Sequence, residues 1–337
     1  MTSPTSRERW GIEGIALGIS LGGVSDPAEW QRAIRWAERA EALGMHSLWL
    51  PEMHFARGAS TTPLLALAAF AARTRTVRLG TTSLLLPIHP PLQLARDVAL
   101  LDALSSGRVL LGLGRGFRAP LFSAYGIDPA TKRDRFDDAL DLMLASWRGE
   151  RVSQVGTVFE DIDAAGDEPP LRPIQTPHPP LAVAAFGHMG LRQAARRALP
   201  YLASPIESLD LLVENHTYHR EQLPEGADPD DIVVPIMRTI HVASDDLEAA
   251  RVTGALEAET RAIPGRVPKA LARAAEAGIE DRAVVGTTSQ VLDRLAHYRE
   301  RLPFDLLIAR PQVPGASDSQ RESSLERLAS DVMPKLR

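Results

Sequence analysis

The sequence predicts an α/β fold, a (β/α)8 TIM barrel with insertions, and three observations carry that prediction. Apolar, strand-like runs alternate with helical patterns along nearly the whole chain. One stretch, Val77 to Leu113, reads in full as strand, helix and strand, a unit that goes with parallel sheets covered by helices. The same rhythm resumes after a proline-dense connector at Pro169–Pro180. With 337 residues, a single barrel of ~250 residues plus excursions fits. The competing arrangement is a doubly wound sheet with a second domain. The barrel reading makes residues 1–337 one domain, with an excursion around 150–180 and an insertion around 263–285.

In chain order, Gly14–Leu21 is a first strand, and Asp26, Pro27 and Glu29 supply an N-cap, a first-turn proline and a capping-box partner for a helix stopping at Gly44. His46–Leu50 is the second strand and empties into Pro51, Glu52, Met53, His54 and Phe55. Leu64–Arg73 is an alanine-rich helix. Val77–Leu86 is apolar and β-branched, broken by Gly80, Thr81, Thr82 and Ser83. Pro90 and Pro91 open a helix whose Leu94, Val98, Leu101 and Leu104 share one face, with Gly107 at its end. Arg108–Leu113 then runs into Gly114, Arg115, Gly116 and Arg118, and Arg133–Trp147 is the next helix.

Val152–Ile162 has the pattern of a β-hairpin. Strands follow at Leu181–Ala185, Tyr201–Ala203, Ile232–Val242 and Phe304–Ile308. Helices follow at Gly187–Ala198, Ser208–Gln222, Ser244–Ala262, near Lys269–Ala277, from the Thr287/Gln290 capping box to Glu300, and at Gln320–Leu336. That makes about eight barrel strands.

Composition narrows the function classes. A formal charge of −5 leaves no basic footprint for nucleic acid or an anionic membrane. Zero cysteines excludes disulfides, thiolate metal sites and a cysteine nucleophile. At 44% hydrophobic and 24% charged, the chain has the balance of a globular protein with a large core. The N-terminal MTSPTSRERW lacks an apolar h-region and no run approaches the roughly 20 residues of a membrane span, so the expectation is a cytoplasmic protein.

In a barrel, chemistry sits at the carboxyl ends of strands, which selects the loops just named. Arg115, Arg118, Arg133 and Arg135 surround glycine-rich backbone, and guanidinium forks suit a phosphate. Arg133 opens a helix, where the dipole favours anions over cations. The alternative is a solvated patch paired with Asp134, Asp137 and Asp138. Ala185, Phe186, Gly187, His188 and Met189 join a strand to a helix whose first N–H groups suit phosphate, or form a plain turn. Thr82 and Ser83 leave room for a flat ligand, or merely bond neighbouring backbone. Glu52 and His54 read as a general acid/base pair or as an ion pair at the barrel mouth. His216 and His219 share a helix face without a third ligand, the pattern of surface histidines, and no metal motif is present.

Taken together, the blocks AERAEALGMHSLWLPEMHF, RLGTTSLLLPIHPPLQLARDVALLDALSSGRVLLGLGRGF, DPATKRDRFDDAL, PPLAVAAFGHMGLRQAAR and VVGTTSQVLDRLAHY resemble those of the bacterial luciferase-like, flavin-dependent monooxygenases over nearly the whole chain. The resemblance implies a luciferase-like barrel that takes reduced FMN from a separate flavin reductase and oxygenates a small organic substrate with O2. It implies a homodimer built through the alanine-rich helix. It places Arg115 and Arg133 on the flavin phosphate together with Ala185, Gly187, His188 and Met189, and Thr82 and Ser83 below the flavin ring, joined by a non-prolyl cis peptide. Relatives using F420 are the alternative of the same class. One departure stands out: the family's Glu-His-His reads Glu52, Met53, His54 here, so its catalytic histidine is a methionine. Glu52 and His54 are then the catalytic candidates, and a non-catalytic flavin-binding protein is the reading from another class. The family's reactive cysteine position is Gly114.

Overall fold

A computed structural model describes residues 4–24, 26–55, 60–150, 159, 171–185, 187–261 and 277–336. Its strands are β1 (Ala16–Ser20), β2 (Ser47–Leu50), β3 (Arg78–Leu85), β4 (Val109–Gly114), β5 (Leu181–Ala184), β6 (Tyr201–Leu202), β7 (Pro235–Val242), β8 (Ala283–Gly286) and β9 (Leu306–Arg310). Buried on both sides, they read as continuous apolar runs, as parallel strands covered by helices do. The chain divides into two compact units, Met1–Gly22 with Arg39–Trp49 and Ala182–Arg337, and Gly23–Glu38 with Leu50–Leu181.

In the first unit, β2, β1, β9, β7 and β8 pair parallel in that order, and β5 pairs parallel with β6. Gly18 of β1 faces Ser47 of β2, and a Cβ there would lie 2.6 Å from Ser47 Oγ and 2.8 Å from Trp49 Nε1. Glycine is what lets the Trp49 indole lie against β1 and donate to Ser47 Oγ at 2.8 Å. The capping box at Thr287 and Gln290 forms as the sequence predicts, and a second one, Ser317 with Gln320, starts the Asp318–Arg327 helix.

In the second unit β3 and β4 pair parallel from Leu79↔Val109 to Leu85↔Gly114, with a register break at Ser83. The Pro63–Arg73, Pro91–Leu104 and Lys132–Arg148 helices belong to this unit. Arg108, at the foot of β4, is spent on structure: its buried guanidinium donates to the carbonyls of Ser105, Val77, Ala71 and Thr74. Gln175 ties the proline-dense connector down through both oxygens of Asp102.

Among the described residues the sequence reading holds element by element to within two or three residues, with several short additions, the Ile279–Arg282 helix among them. A short strand, AVVG at β8, precedes the Thr288–Arg301 helix where no strand is expected. A helix at Ser6–Trp10 is set by a Thr5/Glu8 capping box, and another at Ala119–Ala124 interrupts the loop after β4. Four to six residues are too few to show a period. The expected hairpin at 152–162 and the helix at 269–277 fall outside the described residues, Phe159 and Ala277 apart. His216 and His219 are not surface residues; both are buried, His216 tilted against Tyr201 at 4.8 Å and His219 bonded through Nε2 to the Leu199 carbonyl. Burial holds His216 neutral, its pKa lowered to about 3.

Candidate active site

The carboxyl ends of β2, β3 and β4 lie in the second unit together with Glu52, His54, Thr82, Ser83, Arg115 and Arg133. Glu52 lies two residues past the end of β2, after Pro51, and its backbone N–H donates to the Ser83 carbonyl at 3.2 Å. Its carboxylate is buried and takes three sets of donors: His54 Nε2 at 2.8 Å, His89 Nε2 at 2.9 and 3.0 Å, and the Leu85 N–H at 2.6 Å. Burial pushes this carboxyl up, but the His89 hydrogen bond and charge, the Leu85 N–H and the His54 hydrogen bond outweigh it and leave it below its usual range. Glu52 is therefore an ionised anchor.

His54 turns inward to that anchor, with 7% of its side chain exposed, while Met53 is 37% exposed. Consecutive residues at a strand end face opposite ways, which is why the two diverge. On its other edge His54 Nδ1 meets the Tyr125 hydroxyl at 3.2 Å, with the rings edge to face at 5.5 Å. Arg118 closes the loop by donating Nη1 to the His54 and Phe55 carbonyls. His89 and Tyr125, partners of the Glu52 and His54 side chains, are residues that sequence reasoning passes over. His89 lies between prolines in PIHPP, and Tyr125 in a loop without period; only the three-dimensional closeness to Glu52 and His54 marks them.

Thr82 and Ser83 sit at the register break of β3, and the peptide bond between them is cis. Ser83 Oγ fills the space beside Gly114, where a Cβ would overlap it. Thr82 Oγ1 is buried and has no hydrogen-bond partner, whereas the neighbouring Thr81 donates to the Gly112 carbonyl at 2.8 Å. A buried hydroxyl without a partner is uncommon in a folded protein and calls for an explanation.

Arg115 and the start of the Lys132–Arg148 helix form the cationic part. The Arg115 guanidinium is half-buried; burial and the neighbouring Arg133 both press its pKa down, against the pull of Asp137. Lys132 is lowered for the same reasons, by burial and by Arg115 and Arg133. Three cations thus crowd a helix N-terminus, the end whose dipole repels them. Asp137, one turn into the helix, offsets part of that repulsion at Arg115. Arg135 is committed elsewhere, donating to the Pro87 carbonyl at 3.0 Å.

Ala185, Gly187, His188 and Met189 belong to the first unit. Gly187 adopts φ +68°, a left-handed conformation that glycine takes without strain, and caps the His188–Ala195 helix. Its carbonyl accepts from Gly190 and Leu191, so the first two N–H groups of the helix are the ones left to face outward. The His188 ring stacks on Tyr218 at 4.0 Å, and Arg192 holds the Tyr218 hydroxyl at 2.8 Å. Ala185 is buried and offers no polar group. Among the described residues no group of three histidine or acidic side chains is set to hold a metal, and no helix is long and apolar enough to cross a membrane.

The family model described as luciferase-like monooxygenase matches residues 14–303. The chain is 24% identical over 95% of its length to the oxygenase component of the flavin-dependent trigonelline monooxygenase of Acinetobacter baylyi, covering 94% of that protein. It is 30% identical over 88% of its length to an F420-dependent glucose-6-phosphate dehydrogenase of Beutenbergia cavernae, covering 91% of it. The monooxygenase RslO1 from Streptomyces bottropensis has a matching structure, with a TM-score of 0.79 and 26% identity over 96% of this chain and all of the other. Against three further curated relatives the match spans 46%, 46% and 62% of their own length, about half. The fold is thus the mostly parallel, helix-covered luciferase-like TIM-barrel class.

Proposed function

Because the chain belongs to the luciferase-like monooxygenase family, we propose that it is a flavin-dependent monooxygenase that binds reduced FMN and uses O2 on a small organic substrate. The observation that carries this reading is the crowding of Arg115, Lys132 and Arg133 at one helix N-terminus, which a phosphate relieves. Thr82 and Ser83 fit the flat part of the group: one brings an orphaned hydroxyl, the other fills the space beside Gly114. Gly187, His188 and Met189 are the second candidate for the phosphate, through outward backbone N–H groups, and Ala185 shapes the turn before them. When bound, reduced flavin supplies the electrons that activate O2. The chain's own tasks are to hold the phosphate, keep water out and place a proton, the last through the Glu52 and His54 pair.

The likeness to an oxygenase component supports a separate flavin reductase as the source of reduced FMN. F420 is the second reading, favoured by the glucose-6-phosphate dehydrogenase relative. A homodimer is supported by an apolar groove of about 400 Å3 lined by residues of the Pro63–Arg73 and Pro91–Leu104 helices, where Leu65 and Leu104 are 74% and 59% exposed. A sedimentation profile of a single monomer would remove that assignment.

Anaerobic titration tests the cofactor. The full chain should take up reduced FMN at micromolar concentration, and Arg115→Ala should weaken it roughly 30-fold. Tight uptake of F420 with no protection of reduced FMN from air would replace the oxygenase reading with the F420 one.

A further inference from the structure

We propose that Tyr125 is the acid/base group this site presents to the reacting molecule, with His54 as its relay and Glu52 as the carboxylate that steadies the relay. The inference rests on the oxygenase reading above and gives its site a proton-transfer residue. Of the three side chains after β2, none can act on a ligand alone. Glu52 is buried under three sets of donors, and His54 is all but covered. Met53 is exposed, but a thioether has no proton to give. Tyr125 is 44% exposed, and its hydroxyl reaches the one part of the His54 ring that the carboxylate does not hold.

The hydrogen bonds fix the proton positions. Glu52 is ionised, so His54 must donate its Nε2 proton to it at 2.8 Å. When that ring carries no second proton, Nδ1 is a lone pair that can accept from the Tyr125 hydroxyl at 3.2 Å. The chain phenol, imidazole, carboxylate has the order of a hydroxyl–histidine–acid triad, with a phenol as the working hydroxyl. Burial and the Glu52 charge raise the Tyr125 pKa, so the phenol enters the step with its proton. A ligand O–H or N–H bond breaks, and its proton joins the phenol oxygen. The phenol's own proton passes to His54 Nδ1, and the imidazolium that forms lies against Glu52. The ligand is left with the electron pair. The reverse step returns one proton to an oxyanion, and no oxidant is consumed in either direction.

The test uses the full chain and the variant Tyr125→Phe, which keeps the ring and its edge-to-face contact. Without flavin, 15N-histidine NMR should show His54 with an unprotonated, hydrogen-bonded Nδ1, and Y125F should move that resonance toward an unbonded acceptor. With bound reduced FMN and O2 as the probe, hydrogen peroxide release needs a proton transfer, so Y125F should slow it roughly 100-fold. Affinity for reduced FMN should stay within about twofold, because the phenol is no part of the phosphate site. The double variant with His54→Gln should lose no more than Y125F, since relay members act as one unit. An unmoved Nδ1 resonance, or unchanged peroxide release with reduced FMN still bound, overturns the proposal alone. Failure of the unaltered chain to hold reduced FMN overturns it together with the oxygenase reading.

Discussion

Two charged clusters of the second unit are built on opposite terms. Around Glu52 the chain supplies every partner itself: two imidazoles and a backbone N–H converge on one buried carboxylate, which stays ionised in spite of its burial. Around Arg115 the chain supplies more of the same sign, with Lys132 and Arg133 brought against it at a helix end that also repels cations. The first cluster is complete in the free protein and serves to fix the proton positions of its histidines. The second sets like charges against one another, with Asp137 as a partial counterweight. A carboxylate held by its own fold and a cation set against other cations fail differently when they are removed, and mutation separates them.

The largest effect is expected at the complete cluster. Glu52→Gln keeps the volume but removes the charge that His54 and His89 share, and breaking a buried, paired carboxylate should cost about 3 kcal/mol of unfolding free energy. Because the Glu52 pKa is depressed on folding, its contribution is full above the pKa of an unfolded carboxyl and is lost as pH falls through the lower folded value. Urea unfolding should therefore show the gap between the two proteins open at pH 7 and closing below about pH 4. A gap independent of pH would mean that the carboxylate is not the anchor described.

Arg115→Ala should do the reverse. It removes one of three mutually repelling cations, so the free protein should lose no stability and is expected to gain a few tenths of a kcal/mol. Its affinity for reduced FMN should fall by about 2 kcal/mol. Loss of stability with unaltered flavin affinity would show that Arg115 is structural, as Arg108 is. Added inorganic phosphate at low ionic strength should raise the melting temperature of the unaltered chain more than that of the variant.

Gly114→Ala comes next, since a Cβ there overlaps Ser83 Oγ. Displacing Ser83 should cost about 1–2 kcal/mol, read in the same urea series. It should also weaken flavin binding, because Ser83 moves with it; wild-type affinity would detach Ser83 from the ring site.

Much of this was legible in the sequence, and the physical reason is period and position. Strand and helix rhythm over Leu79, Leu94, Val98 and Leu111 is a property of neighbours along the chain, and so is the Thr287/Gln290 box. The loops after β2 and β4 were legible as the place of a candidate site because barrel chemistry lies at strand ends. Which side chains meet there was not. His89 reaches Glu52 from 37 residues away and Tyr125 reaches His54 from 71, and neither lies on a periodic face. His216 and His219 were misplaced because a spacing of three marks one helix face without saying whether it turns to water or to Tyr201 and Leu199. Strand β8 escaped because four residues are too short for a pattern.

The smallest change probes Thr82, at the register break of β3. Thr82 Oγ1 is buried without a partner, so the free protein carries an unpaid desolvation at that atom. Thr82→Val removes the hydroxyl and keeps the β-branched shape, and a half-buried strand position accepts valine well. The free protein should then gain about 1 kcal/mol in urea unfolding. If the hydroxyl is held in reserve for the flavin ring, the same variant should bind reduced FMN severalfold less tightly, an opposite sign on the two measurements. Arg115→Ala shares that opposition of signs, and Glu52→Gln does not. A Thr82→Val protein that gains stability and binds flavin as before would make the orphaned hydroxyl a packing accident and leave flavin affinity to rest on the Arg115 test alone.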